Sequence, residues 1–246
     1  MAAPGKLVVL ADDDALARAV AAYFIATALD AIAARGRFDV ALSGGSTPKA
    51  VYALLAAPLA EAALTWSRVR FFFGDERCVP PDDPESNYKT ARDGLLEPLG
   101  IDAAHVFRMR GEDVPTAAAR DYAAVLRAEL GPSPVFDLVM LGMGPDGHTA
   151  SLFPGTDPLT DDEALVRAPW VEKFSTHRIT LTPRVINAAR TVAIAAGGAA
   201  KAAALHEVRE GTYDPMVHPI QIVNPHDGEL IWFVDAAAAG ALSRSV

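Results

Sequence analysis

Short runs of apolar residues recur along the chain at positions 7–11, 38–42, 69–73, 106–109, 136–143, 191–196 and 230–234. Most lack the polar alternation of a half-exposed strand and fit strands buried on both faces of a parallel sheet. Helical segments separate most of them. Asp12 to Asp14 can cap a helix running to about residue 35, positions 116–130 carry apolar residues at helical spacing, and 199–209 are rich in strong helix formers. This alternation predicts an α/β fold, a doubly wound, mainly parallel sheet with helices on both faces, Rossmann-like. Between residues 165 and 182 the pattern changes. Trp170, Phe174 and the alternating Arg178-Ile179-Thr180-Leu181 predict a small antiparallel edge insertion. No repeat, low-complexity linker or long charge run divides the chain, so a single domain over residues 1–246 is expected.

Composition narrows the function classes. With 246 residues, 51% hydrophobic and 22% charged, the chain can bury a substantial core. No stretch of 20 residues is both apolar and free of charge, so no membrane span is expected. The N-terminus lacks a basic region leading into an apolar core, which reads as cytoplasmic. A formal charge of −9 without a lysine tract or arginine stripe argues against nucleic-acid partners. A small phosphorylated ligand remains compatible, because a few local donors suffice to hold one phosphate. The single cysteine, Cys78, rules out an internal disulfide or cysteine-based metal cluster, and the six histidines show no metal-ligand spacing, so neither metal nor other cofactor is expected.

Three loops at the predicted carboxyl ends of strands carry the chemistry, which is where ligands collect in such sheets. Ser43-Gly44-Gly45-Ser46-Thr47-Pro48 follows the run 38–42 and precedes a helical segment expected to begin near Pro48. Gly44 and Gly45 let backbone N–H groups approach an anion, Ser46 and Thr47 add hydroxyls, and the helix start adds partial positive charge. The same string also reads as an ordinary capped glycine turn. Gly74-Asp75-Glu76-Arg77 follows the run 69–73; its two carboxylates and guanidinium either form a structural ion network or serve a ligand, in which case Arg77 can grip a phosphate and Asp75 can orient an imidazole or bind sugar hydroxyls. The third loop, in FDLVMLGMGPDGHTASLFPG, sets Gly144, Asp146 and Gly147 just ahead of His148, a candidate general base. Its Gly142-x-Gly144-x-x-Gly147 spacing mimics a dinucleotide fingerprint. His148 interrupts the helix start that motif requires, however, and no strand ending in an acidic residue follows about 20 positions on.

The segments SGGSTP, GDERCVPPDDPESNYK, LGMGPDGHTASLFPG and GGAAKAAAL, followed by HPIQIV and LIWFVDAAAA, together resemble the 6-phosphogluconolactonase family. The likeness runs in order from about Leu7 to Ala239. It implies hydrolysis of 6-phospho-D-glucono-1,5-lactone, a reaction of the pentose phosphate pathway, by a monomer or small homo-oligomer whose partner is the phosphosugar lactone. That family is similar to glucosamine-6-phosphate deaminase/isomerase, in which a glutamate after the GxDGH loop supports the catalytic histidine. Here Phe153 occupies that place, which favours the lactonase. On this reading His148, held by Asp75 or by a neighbouring main-chain group, activates water. Backbone N–H groups from Gly144 to Gly147 are candidate oxyanion donors, and Asp146 shapes their turn. The phosphate is expected on Gly44, Gly45, Ser46 and Thr47 with Arg77 and Lys201, the lysine resting on the resemblance, and with Arg178 as a third cation. Asn87 is expected either to contact sugar hydroxyls or to cap the next helix.

Overall fold

The computed structural model describes residues 5–161 and 163–243. Its strands are β1 (Lys6–Leu10), β2 (Phe38–Leu42), β3 (Val69–Phe73), β4 (Asp75–Arg77), β5 (Leu138–Gly142), β6 (Val166–Arg167), β7 (Trp170–Val171), β8 (Thr176–Leu181), β9 (Thr191–Ala196) and β10 (Glu229–Asp235). Its helices are α1 (Asp13–Arg35), α2 (Ser46–Leu55), α3 (Pro58–Ala63), α4 (Asn87–Ala91), α5 (Pro115–Leu130), α6 (Pro183–Ile186) and α7 (Ala202–Glu210).

Six strands form a parallel sheet in the order β1-β10-β9-β5-β2-β3. The doubly wound expectation holds. From β2 the chain steps outward to β3, then returns to lay β5 and β9 on the other side of β2, so the order reverses between β2 and β5. Such a reversal opens a crevice at the strands' carboxyl ends.

Local chemistry sets the elements. The Asp12 carboxylate accepts from the Ala15 N–H at 2.7 Å and starts α1; Gly36, at φ 76°, ends it. By length and mean hydropathy of 1.6 this helix could cross a membrane, yet Leu16, Phe24 and Ala28 are fully buried and it packs across β1, β2, β9 and β10. Asp39 lies buried within the otherwise apolar β2, where Arg37 and Arg70 pair with its carboxylate at 3.0 and 2.6 Å.

The irregular stretch folds as expected into antiparallel structure, a second sheet ordered β4-β8-β6 with β7 also on β8. Three boundaries differ from expectation. Residues 75–77, read as a loop, form β4 and pair in the register Asp75↔Thr180, Glu76↔Ile179, Arg77↔Arg178. Residues 106–109 make no strand, only a bridge from Val106 to Phe71. Just beyond, Gly111 packs against the Arg77 and Val79 carbonyls, where a Cβ has no room. Finally, α2 begins at Ser46 rather than Pro48, so Ser46 and Thr47 belong to its first turn.

Candidate active site

The cleft lies at the carboxyl ends of β2, β5 and β9 and encloses about 230 Å³. Its first wall is the turn from β2 into α2. Gly45 stands at φ 107°, a conformation that favours glycine, and directs the chain into the helix. No side chain caps α2, so the donors of its first turn stay available, together with the helix's positive end. Ser43 Oγ and Asn87 Oδ1, both on cleft-lining residues, are buried without a hydrogen-bond partner among the described residues. Buried polar atoms of this kind are able to bond a polar ligand.

The second wall is β4 and the start of α4, organised around a carboxylate. Glu76, 2% exposed, accepts from the Arg77 and Asn87 N–H groups (both 2.7 Å), the Tyr88 N–H (2.8 Å) and Ser86 Oγ (2.9 Å). Burial pushes its carboxyl up against the downward pull of those four donors. Ser86 caps α4, accepting from the Lys89 N–H, and this displaces Asn87 from the capping role. Asn87 instead donates to the Asp75 carbonyl (2.9 Å) and carboxylate (3.1 Å). The other Asp75 oxygen accepts from Ser151 Oγ at 2.7 Å. Asp75 is therefore not the group that orients His148.

That group is Asp146, whose Oδ1 receives His148 Nδ1 across the glycine turn. Its second oxygen accepts from Lys173 Nζ at 3.0 Å. Burial raises the Asp146 carboxyl, but the hydrogen bond and charge of His148, together with Lys173, outweigh it and hold the group well below the usual carboxylate range. Gly144 lets the imidazole lie against the backbone, because a Cβ there would overlap the ring. Phe153 stacks on the other side, 4.3 Å between centroids at 27°. With Nδ1 committed to the carboxylate, Nε2 is the basic nitrogen of the neutral ring.

The same turn removes two of the expected oxyanion donors. The Gly144 N–H bonds the His148 carbonyl (2.8 Å) and the Gly147 N–H bonds the Gly144 carbonyl (3.1 Å), so both donors close the loop instead of facing a substrate. Ala150, lining the cleft, holds φ 47°, an uncommon backbone state for a residue with a Cβ.

Lys201 enters from the loop after β9 and donates to the Met143 carbonyl. Burial lowers its ammonium below the ordinary range, partly offset by the Asp146 charge. Arg77 lines the cleft and donates to the Glu85 carbonyl. Arg178, its cross-strand neighbour, does not line the cleft. It lies under the surface, 5.1 Å from the Phe174 ring centre, and burial followed by the Arg77 charge pulls its guanidinium down. The cleft thus gathers Gly44, Gly45, Ser46, Thr47, Asp75, Arg77, Asn87, Gly144, His148 and Lys201; Asp146 and Gly147 stand behind its lining, and Arg178 lies outside. Among the described residues no group of three or more His, Cys, Asp or Glu side chains converges as a metal site would require.

Fold and cleft define an α/β protein with an uncapped helix start and a carboxylate-held histidine facing one cleft where its parallel strands end. Residues 11–232 match the model of the glucosamine-6-phosphate isomerases/6-phosphogluconolactonase family, and the chain belongs to that family. It is 42% identical to human 6-phosphogluconolactonase over 98% of this chain and 95% of that one. The figure is 41% for the Synechocystis 6-phosphogluconolactonase, over 85% of this chain and 86% of the relative. The solved 6-phosphogluconolactonase from Trypanosoma cruzi superposes with a TM-score of 0.88 at 29% identity, covering 99% of this chain and 98% of that one.

Proposed function

We propose that the chain hydrolyses 6-phospho-D-glucono-1,5-lactone to 6-phospho-D-gluconate, with His148 as the general base. The observation that carries this reading is the Asp146–His148 pair backed by Phe153. It supplies one oriented proton acceptor, and it sets an apolar ring where the related deaminases need a carboxylate.

Water attacks C1 as His148 Nε2 takes its proton, and Asp146 stabilises the resulting imidazolium. The new C–O bond makes a tetrahedral oxyanion at C1. Its collapse breaks the bond from C1 to the ring oxygen, which receives the proton from the imidazolium. The product acid ionises at neutral pH. One group thus serves as base and then as acid, all that a lactone opening demands. The phosphate is assigned to the first turn of α2 with Arg77 and Lys201, where helix donors and two cations converge.

The deciding experiment is a pH-controlled assay on freshly made 6-phosphogluconolactone, corrected for spontaneous hydrolysis, beside ammonia release from glucosamine 6-phosphate. Lactone turnover without ammonia is expected; ammonia release without lactone turnover would overturn the reading. Lys201→Ala is expected to raise KM for the lactone roughly tenfold or more, the magnitude of one charge-assisted hydrogen bond, with kcat within about threefold. An unchanged KM would remove Lys201 from the phosphate site.

A further inference from the structure

The Asp146 carboxylate is gripped from two sides. One oxygen holds His148 Nδ1, and the other holds Lys173 Nζ at 3.0 Å. Lys173 belongs to the single helical turn Glu172–Phe174 that joins β7 to β8, in the small antiparallel sheet. The next residue reaches the same histidine by another route. Phe174 stands edge-on to Phe153, 5.7 Å between ring centres at 76°, and Phe153 lies flat on the imidazole. The turn ends on Ser175 at φ 48°, a left-handed backbone that points to a fixed conformation. Lys173 does not line the cleft, and its side chain is 52% exposed.

We propose that Lys173 is a positioning residue for the reaction: it pins Asp146 through one oxygen so that the other stays on the imidazole, and its charge helps keep the ring in the neutral, proton-accepting form. A carboxylate two residues from its histidine can rotate away from it, and a second partner restricts that rotation. The added cation also works electrostatically. Placed behind the carboxylate, it opposes a positive charge on the ring and weakens the carboxylate's hold on that charge. This electrostatic effect, and not the pinning, extends the active range toward acid.

The other groups around the pair are Lys201 at the start of α7, Asp75 and Arg77 on β4, and His218, which packs against Gly147. All of them stay constant when Lys173 alone is changed. The interaction is half exposed, so its influence is modest and sensitive to salt.

The inference rests on His148 as the base, and the test separates the two. In Lys173→Met the acid limb of the kcat/KM profile is expected to move toward neutral pH by about half a unit, with plateau kcat down about threefold and KM within about twofold. Lys173→Arg should restore the wild-type limb. About 1 M salt should move the wild-type limb toward that of Lys173→Met. An unmoved limb in Lys173→Met, with an unchanged melting temperature, would overturn the proposal. So would a raised KM on an unmoved limb, which would make Lys173 a substrate contact. His148→Ala is assayed in parallel: if it stays fully active the base assignment itself fails, whereas an inactive His148→Ala beside an unmoved Lys173→Met limb rejects the lysine alone.

Discussion

His148→Ala is expected to lower kcat by about 10² to 10⁴-fold, the usual contribution of a positioned acid–base group, while KM changes by less than about threefold. The asymmetry follows from placement. On the proposed reading the phosphate is held by α2, Arg77 and Lys201, whereas the imidazole, on the turn after β5, serves only the reacting carbonyl. Asp146→Asn should fall between wild type and His148→Ala. An amide keeps the shape but offers Nδ1 a neutral partner in place of a carboxylate, so the imidazolium formed during attack loses its counter-charge. Initial rates at several pH values, with the uncatalysed hydrolysis subtracted, measure both variants. Wild-type kcat in His148→Ala would remove the base from the mechanism. Equal rates in Asp146→Asn and wild type would reduce the carboxylate to a loop brace.

The second large effect is expected at Gly44→Ala. A Cβ at this position would overlap Asn87 Oδ1 and Cγ. Asn87 cannot step aside cheaply: its amide donates twice to Asp75 and its own N–H is held by Glu76. The cradle must shift instead, by something near an ångström, and a displacement of that size between binding and reacting groups can reduce kcat/KM by about 10²-fold. Overpacking should also reduce stability by about 1 to 3 kcal/mol. Gly240→Ala is the control, since nothing lies within 4 Å of its added methyl. Kinetics and urea unfolding of the two variants side by side decide the matter. Near-wild-type kcat/KM in Gly44→Ala would mean the cradle tolerates displacement and does not bind the phosphate.

The parallel sheet was legible because its central strands are continuous apolar runs: the spans of β2, β3 and β9 coincide with residues 38–42, 69–73 and 191–196. A buried strand advertises itself by composition alone. Residues 106–109 were equally apolar in part, yet local pattern carries no information about Gly111 being drawn under Arg77 and Val79. Conversely, Asp75-Glu76-Arg77 has no apolar signal, and its pairing with residues 178–180 depends on a contact about 100 positions away. The loops holding the cleft were readable from their glycines and hydroxyls, and the partnership inside them was not. Asp146 faces His148 because Gly147, at φ 75°, folds the turn back and because Gly144 leaves room for the ring. Lys173 had no signal at all, since only the packing of the small sheet brings residue 173 beside residue 146.

Gly74 joins the two sheets with its own backbone: its N–H bonds the Leu42 carbonyl of the parallel sheet, and its carbonyl accepts from the Leu181 N–H of the antiparallel one, each at 2.8 Å. One peptide unit on either side of a glycine thus acts as a rivet between the cradle and the wall that carries Asp75 and Arg77. Swinging one wall against the other would break these bonds, and the cleft between them is open to solvent. That suits a reaction whose second reactant is the solvent: a site sealed against water would exclude the very molecule it must activate.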